Sequence, residues 1–184
     1  MQFLRPSLRI HSWSINLVAI LVLLTTASVS SASERLEEIF GEGVFETKWG
    51  DSLAHVKEVH PDGKYESAMN LHVYRVKSSR KVLGIDRKKK DTTFGFAEPE
   101  SGLKSVLVEF RGSDYSTALF ALKNLFGDGT QDFENEFKSG ATSWTSEDQT
   151  LKVEIYMAGI FGVSTYVAIS KLVTSDDTKE DLGF

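Results

Sequence analysis

Apolar and polar residues alternate with a period of two along two stretches of the chain, 103–110 and 151–157. In the first stretch Val106, Val108 and Phe110 fall on one side, and mainly polar residues occupy the other. This alternation is typical of a strand that buries one face. Each stretch therefore predicts a β-strand with one side turned to the core.

Other short segments, rich in β-branched and aromatic residues, also predict strands. Breakers separate them at Ser78-Ser79, in the charged run 86–91 and between Pro99 and Gly102. The additional predicted strands are 66–76, 80–85, 92–97, 133–138, 142–146 and 163–172.

A helical period replaces the alternation between Asp114 and Gly127. The apolar residues of this segment fall within a stripe about 120° wide, which is the face that a helix buries on a sheet. Phe120 lies well off that stripe, so it is expected either to be exposed or to be covered by a second element. The segment predicts an amphipathic helix.

Two further helices are predicted near the start of the sheet-forming region. The first is a short helix within residues 33–43. The second runs from Ser52 to His60, because Asp51 or Ser52 can accept hydrogen bonds from the first amides and Pro61 prevents its continuation.

The two halves of the chain share one layout. The segment DSLAHVKEVHPDG (51–63) and the segment DYSTALFALKNLFGDG (114–129) each place a capped helix and a glycine exit before about four short strands. This layout predicts an α+β fold of two helix-plus-antiparallel-strands units, a tandem αββββ-like arrangement, spanning 51–112 and 113–173. We expect the strands to merge into one curved sheet with the helices on one face.

The motif Trp49-Gly50-x-Ser52-x-x-x-Val56, followed by strands and by a helix after the strand VLVEF, resembles small exported bacterial proteins of unassigned role. The tandem helix-plus-strands layout is also similar to that of the β-lactamase inhibitor proteins. It is more distantly similar to the helix-plus-sheet lipoproteins of outer-membrane assembly. The resemblance covers most of residues 45–172, and it implies the tandem fold described above.

The N-terminal segment has the order of a secretory signal peptide. Arg5 and Arg9 precede an apolar run at 15–24, and small residues follow at 27–32, so we place cleavage near Ala32. The predicted organisation is then a signal peptide at 1–32, a lead-in at 33–50, the two units, and an acidic disordered tail at 174–184. An uncleaved N-terminal anchor is the alternative, which would tether the protein to a membrane.

Composition limits the compartment and the partners. The chain contains no cysteine, which excludes disulfides and thiol chemistry. Without residues 1–32 it has 19 lysines and arginines against 26 acids, a net charge of −7, which argues against nucleic acid as a partner. The basic run 87–90 lies between Asp86 and Asp91 and predicts a solvated hairpin tip. We expect a periplasmic or secreted protein.

The histidines do not have the spacing of a metal site. Zinc-binding helices place histidines four residues apart, whereas His55 and His60 are five apart, about 140° around a helix. Glu58 falls near His55 but away from His60, so no three of these residues converge. His60 is expected to cover the core edge and to interact with the last helix carbonyls, and no metal or other cofactor is predicted. His55 is kept as the one residue worth testing for chemistry.

Catalytic motifs are also missing from the sequence. His72 lies in a predicted strand, and no serine in a nucleophile-elbow motif accompanies it. We therefore expect a non-enzymatic binding protein whose partner is another envelope protein or a peptide. The remaining alternative is a hydrolase whose acids and histidine meet only in the fold.

Aromatic residues are the best candidates for binding. Trp49 and Trp144 are each expected to fill the seam between a helix and the sheet, since large aromatics dominate small cores. The alternative is that Trp144, Phe120, Phe161 and the tyrosines line a concave sheet that holds a protein or peptide.

Overall fold

The computed structural model describes residues 31–68, 71–132, 139–159 and 163–172. The predicted strand 133–138, the tail 174–184 and most of the signal peptide lie outside these residues. Three helices are described, α1 (Ala32–Phe40), α2 (Leu53–Val59) and α3 (Tyr115–Phe126). The strands are β1 (Gly43–Val44), β2 (Thr47–Lys48), β3 (Lys64–Ala68), β4 (Leu71–Ser78), β5 (Lys90–Phe96), β6 (Leu103–Arg111), β7 (Thr130–Asp132), β8 (Ser139–Thr145), β9 (Leu151–Ala158) and β10 (Ser164–Lys171).

Eight of the strands form one antiparallel sheet in the order β3-β4-β5-β6-β10-β9-β8-β7. Each half of the sheet is a meander of four sequential strands that follows a helix, α2 in the first half and α3 in the second. The halves join where β6 pairs with β10, with Glu109 opposite Tyr166. The predicted α+β fold of two helix-plus-strands units is confirmed.

The helices cover one face of the sheet and enclose the core. On β6 the inward residues are the predicted Val106, Val108 and Phe110, all fully buried. The inward side of α3 is Ala118, Leu122 and Phe126, which belong to the predicted apolar stripe. Burial of each large apolar side chain on this face contributes about 1.5–3 kcal/mol to the stability.

Side-chain caps fix where the first two helices begin. Ser31 and Glu34 form a reciprocal capping box at the start of α1, and Ser52 Oγ accepts from the His55 amide at the start of α2. At the end of α1, Trp49 Nε1 donates to the Phe40 carbonyl at 2.6 Å. Trp49 packs against the core, which agrees with the predicted seam-filling role.

Two strand predictions of the first unit are wrong in detail. The predicted strand 66–76 is two strands, β3 and β4. The predicted strand 80–85 is a tight turn with a single bridge between Val82 and Ile85, because Leu83 and Gly84 both adopt positive φ. These errors offset each other, so the unit still has four strands.

The interpretation of residues 87–90 as a solvated tip is wrong for Arg87, which is fully buried. Its guanidinium donates to the Glu109 carbonyl at 3.0 Å, to Thr92 Oγ1 at 2.8 Å and to the carbonyls of Lys90 and Asp91. Burial lowers the pKa of Arg87 to about 10, and Glu109 and Asp91 oppose that shift. Arg87 therefore anchors the loop to β5 and β6.

Candidate functional site

The face of the eight-stranded sheet that the helices leave uncovered, which we call the open face, contains a cavity of about 640 Å³. Its walls come from β4, β5, β6, β9 and β10, so both units contribute to it. Strands lie about 4.8 Å apart, and the five strands therefore span roughly 19 Å. The cavity is large enough for several side chains of a bound segment.

Small side chains form the floor of the cavity. Gly95, Ser105 and Thr93 lie side by side on β5 and β6, with Leu107 beside them. A Cβ at Gly95 would meet the Ser105 hydroxyl, so a larger residue there would make the Ser105 side chain change rotamer. The floor is consequently shallow and rigid, since it consists of hydrogen-bonded strands rather than loops.

Two tyrosines form one wall. Tyr156 on β9 and Tyr166 on β10 are directly opposite in the strand register, and their rings stack with centroids 5.6 Å apart. Burial, with the nearby Glu154 carboxylate and Tyr166, raises the pKa of Tyr156 to about 12. Its phenol therefore stays protonated across the physiological pH range.

Glu109 is a fixed negative group at the same wall. Its carboxylate accepts from Lys90 Nζ and from Ser164 Oγ, each at 2.8 Å, and from the Asp91 amide at 3.4 Å. Burial alone would raise the pKa of Glu109, but these hydrogen bonds together hold it below its usual value. The carboxylate is thus ionised and already neutralised by Lys90.

A β-bulge directs Lys104 into the cavity. Gly95 pairs with Ser105 but Phe96 pairs with Leu103, which leaves Lys104 as an extra residue on β6. Bulges commonly reorient side chains in this way. Lys104 and Ser105 both line the cavity, and within the described ranges the Lys104 ammonium forms no ion pair.

Trp144 does not belong to this surface, so its prediction as a binding residue is wrong. It is only 4% exposed and lies on the helix-covered side of β8. Its ring packs against Phe126 with centroids 6.2 Å apart, and its Nε1 donates to the Gly127 carbonyl at 2.9 Å. The first interpretation, that Trp144 fills the seam between helix and sheet, describes it correctly.

Phe120, a second named aromatic candidate, is also apart from the cavity. Phe120 is 67% exposed, but it belongs to α3, on the helix side of the sheet. It cannot share a binding surface with the open face. Phe161 lies outside the described residues.

The histidines have local partners. His55 is half exposed on α2, with its ring nitrogens 3.7 Å from Asp51 and 3.6 Å from Glu58. His72 is hydrogen-bonded to the Tyr65 hydroxyl at 2.7 Å. Across the described residues no group of three or more acidic or histidine side chains has a metal-binding arrangement.

His60 covers the core edge as predicted, but its ring contacts a carbonyl outside α2 rather than the last carbonyls of that helix. Its ring stacks on Phe94 at 4.9 Å between centroids, and Nε2 donates to the Phe45 carbonyl at 3.0 Å. Phe45 belongs to the β1–β2 turn rather than to α2. The His60 side chain thus fastens that turn to the sheet, while its backbone amide caps α2 by donating to the Val56 carbonyl at 3.0 Å.

A second cavity, of about 310 Å³, lies on the helix side between α1, α3 and the β1–β2 turn. Its lining is almost wholly apolar, with Phe40, Leu83 and Leu125 among the residues. Among the described residues that line it, no set of polar groups converges that could orient a ligand. The open face is therefore the stronger candidate.

The sequence analysis included the tyrosines only as a group, and it did not single out Tyr156, Tyr166 or Lys104. Tyr156 and Lys104 occupy outward positions of strands whose inward positions were identified correctly, and Tyr166 lies outward on β10, for which only the strand was predicted. The residues between the inward positions of β9 and β10 include the two tyrosines, because both face away from the core residues of the same strands. The alternation of apolar and polar residues in β6 does not reveal the bulge that adds Lys104.

No protein-family model, curated protein or solved structure matches this chain. The resemblance to small exported proteins and to the β-lactamase inhibitor proteins therefore stays a prediction. None of the helices in the described residues is both long and apolar enough to cross a membrane.

Proposed function

We propose that this is an exported, non-enzymatic protein that binds another envelope protein, or a peptide segment of one, on its open face. The observation that carries the proposal is the cavity on the uncovered side of the sheet, walled by the stacked Tyr156 and Tyr166. Tyrosine is enriched at binding hot spots because it offers a large rigid contact area and a polar hydroxyl.

The rigidity of the sheet supports binding of a macromolecular segment. Both tyrosines lie in continuous hydrogen-bonded strands, so little conformational entropy is lost when a partner contacts them. A cavity that crosses five strands suits an extended segment or a loop better than a compact metabolite. The net charge of −7 without residues 1–32 disfavours nucleic acid.

Export is the second part of the proposal. It rests on the order of charged, apolar and small residues in 1–32, and cleavage near Ala32 would release a periplasmic or secreted protein. Intact-mass measurement of the protein recovered from its native cells tests this. A mass that includes Met1 to Ala32 would favour the membrane-tethered alternative.

Site-specific photo-crosslinking tests the binding surface. A photoreactive phenylalanine analogue placed at Tyr166 reports on the open face, and the same analogue at Phe120 is the matched control on the helix side. We expect one specific adduct from the Tyr166 position that is absent from the Phe120 position. The adduct would be identified by mass spectrometry.

Affinity measurements with the purified partner complete the test. Tyr166→Ala is expected to weaken binding about 30-fold, the effect of losing a hot spot of roughly 2 kcal/mol, while Phe120→Ala changes it less than about twofold. Equal adducts from both positions, or equal affinities of both variants, would show that the open face is not the binding surface.

A further inference from the structure

A third cavity, of about 160 Å³, lies beside the β1–β2 turn on the helix-covered side of the sheet, with the core residue Phe94 in its wall. Its lining includes two arginines, Arg80 and Arg87, and the hydroxyl groups of Ser78 and Thr92. We propose that this cavity, which we call the arginine cavity, binds a phosphate group. The proposal is separate from the binding of a partner on the open face, because the two surfaces lie on opposite sides of the sheet.

Arg87 places a buried positive charge at the inner wall of the arginine cavity. Burial lowers its pKa only to about 10, so the guanidinium is still protonated at neutral pH. Its hydrogen bonds go to three carbonyls and to Thr92 Oγ1, and no carboxylate in the described part of the chain forms an ion pair with it. The nearby Glu109 and Asp91 are each paired with a lysine, at 2.8 and 3.9 Å. Water stabilises the charge of an exposed lysine, whereas a fully buried charge is normally paired, so Arg87 favours an anion in the adjacent cavity.

Hydrogen-bond donors for such an anion come from the wall and from the rim. Thr92 Oγ1 accepts from Arg87 Nη1 at 2.8 Å, and Ser78 Oγ accepts from the Arg80 amide at 3.1 Å. Within residues 31–132 of the described chain neither hydroxyl group donates a hydrogen bond, so each can donate to a ligand. Arg80 is half exposed at the rim and donates to the Glu46 carboxylate at 2.8 Å, which leaves further N–H groups of its guanidinium for phosphate oxygens.

The charge around the arginine cavity also favours an anion. The connection between β4 and β5, residues 79–89, carries five basic residues and one acidic residue, although the chain as a whole is acidic. A local cluster of one sign attracts the opposite charge even when the net charge of the protein opposes it. The rings of Phe45 and Phe94 line the cavity and exclude water, which strengthens each polar contact inside it.

Strained backbone forms the rim of the arginine cavity. Phe45 and Glu46 are the two central residues of the β1–β2 hairpin turn, with φ of 53° and 63°. Turns of this kind favour Asn and Gly, so a phenylalanine and a glutamate here carry a conformational cost. Arg80 contacts both residues, with its guanidinium 5.5 Å from the centre of the Phe45 ring and 2.8 Å from the Glu46 carboxylate. Such strain is concentrated at binding sites in proteins, and here it fixes the position of the rim arginine.

The size of the arginine cavity limits the ligand to a small group. At about 30 Å³ for each water molecule, the volume corresponds to roughly five waters, which is enough for one phosphate but not for a whole nucleotide. Arg80 and Glu46 both line the cavity and are both largely exposed, so it opens to solvent between them. A phosphate carried by a larger molecule could therefore enter while the rest of that molecule stays outside.

Calorimetric titration of the full protein with inorganic phosphate, at neutral pH and low salt, tests the site. We expect saturable binding of about one phosphate per chain. Arg80→Gln should weaken this binding about tenfold, because a charge-assisted hydrogen bond is lost. Glu46→Gln should tighten it about threefold, because the carboxylate that competes for Arg80 is removed. A purely structural role of this ion pair would change both affinities in the same direction.

The matched controls are Lys123→Gln and Asp128→Asn, which break an ion pair of 2.9 Å at the end of α3. Each should change the affinity for phosphate less than about twofold. Urea midpoints check that every variant is folded. Backbone amide resonances locate the bound ion, and phosphate should shift those of Ser78 and Thr92 but not that of Tyr166 on the open face.

Two further anions define the ligand. Methyl phosphate that binds as tightly as inorganic phosphate would assign the site to a phosphate group of a larger molecule, and exclusion of methyl phosphate would assign it to the free ion. Acetate should bind at least about fivefold more weakly, because it carries less negative charge. The inference is overturned by a lack of saturation up to about 20 mM phosphate, by equal effects of Arg80→Gln and Lys123→Gln, by weaker binding in Glu46→Gln, or by acetate binding as tightly as phosphate.

Discussion

Replacing Arg87 by alanine tests whether a buried guanidinium holds the loop between β4 and β5 in place. The side chain donates to four acceptors, namely Thr92 Oγ1 and the carbonyls of Lys90, Asp91 and Glu109. Hydrogen bonds from a charged donor contribute about 1.5–3 kcal/mol each, but water can replace some of them and desolvation of the guanidinium offsets part of the sum. We expect Arg87→Ala to lower the free energy of unfolding by about 3–5 kcal/mol.

Lys89→Gln is the matched control, because Lys89 is exposed in the same basic run. Lys89→Gln should change the free energy of unfolding by less than about 0.5 kcal/mol. Urea unfolding followed by the fluorescence of Trp49 and Trp144 measures both variants. Thermal unfolding provides a second measure, with an expected decrease of roughly 10 °C for Arg87→Ala in a chain of this size. Equal urea midpoints for the two variants would refute the anchoring role.

Three further predictions concern the core, the dependence of stability on pH in the acidic range, and the first helix. Trp144→Ala should destabilise the protein by about 3–5 kcal/mol in urea unfolding, whereas Phe120→Ala should cost less than about 0.5 kcal/mol. Glu109 has a folded pKa below 4.5, so its contribution to stability is complete above that pH and is lost as the pH falls through the lower folded value. Below pH 4.5, the free energy of unfolding should therefore fall less steeply with decreasing pH in Glu109→Gln than in the unmodified protein. A chain that begins at Ser33 should be about 1 kcal/mol less stable than one that begins at Ser31, which retains the capping box.

The sequence predicted the architecture because periodicity depends on local physics. The alternation in β6 and β9 and the helical stripe of α3 each follow from burying one side of a regular element, and all three elements lie where they were expected. The repeated layout then predicted two units, since sequential antiparallel strands with short connections pair with their neighbours.

Which side chains face the surface could not be predicted as well as the order of helices and strands. Whether Arg87 points inward depends on the positive φ of Lys88 and Lys89, which turn the chain within a run that looks uniformly exposed. The surface role of Trp144 remained an alternative because the alternation of a short strand does not say which side the helices cover. The role of Lys104 depends on a one-residue bulge, which needs the register of the neighbouring strand to be seen.

The pairing of β6 with β10 has a consequence for folding. Every other strand pair in the eight-stranded sheet joins sequential strands, whereas Val108 and Val167 meet across the full length of the second unit. Loop closure over such a separation is slow, so we expect this seam to form last and to limit the folding rate. Until it closes, β6 and β10 expose unpaired apolar edges that another copy could occupy. Refolding at high protein concentration should therefore produce strand-exchanged dimers in which the first unit of one chain pairs with the second unit of another.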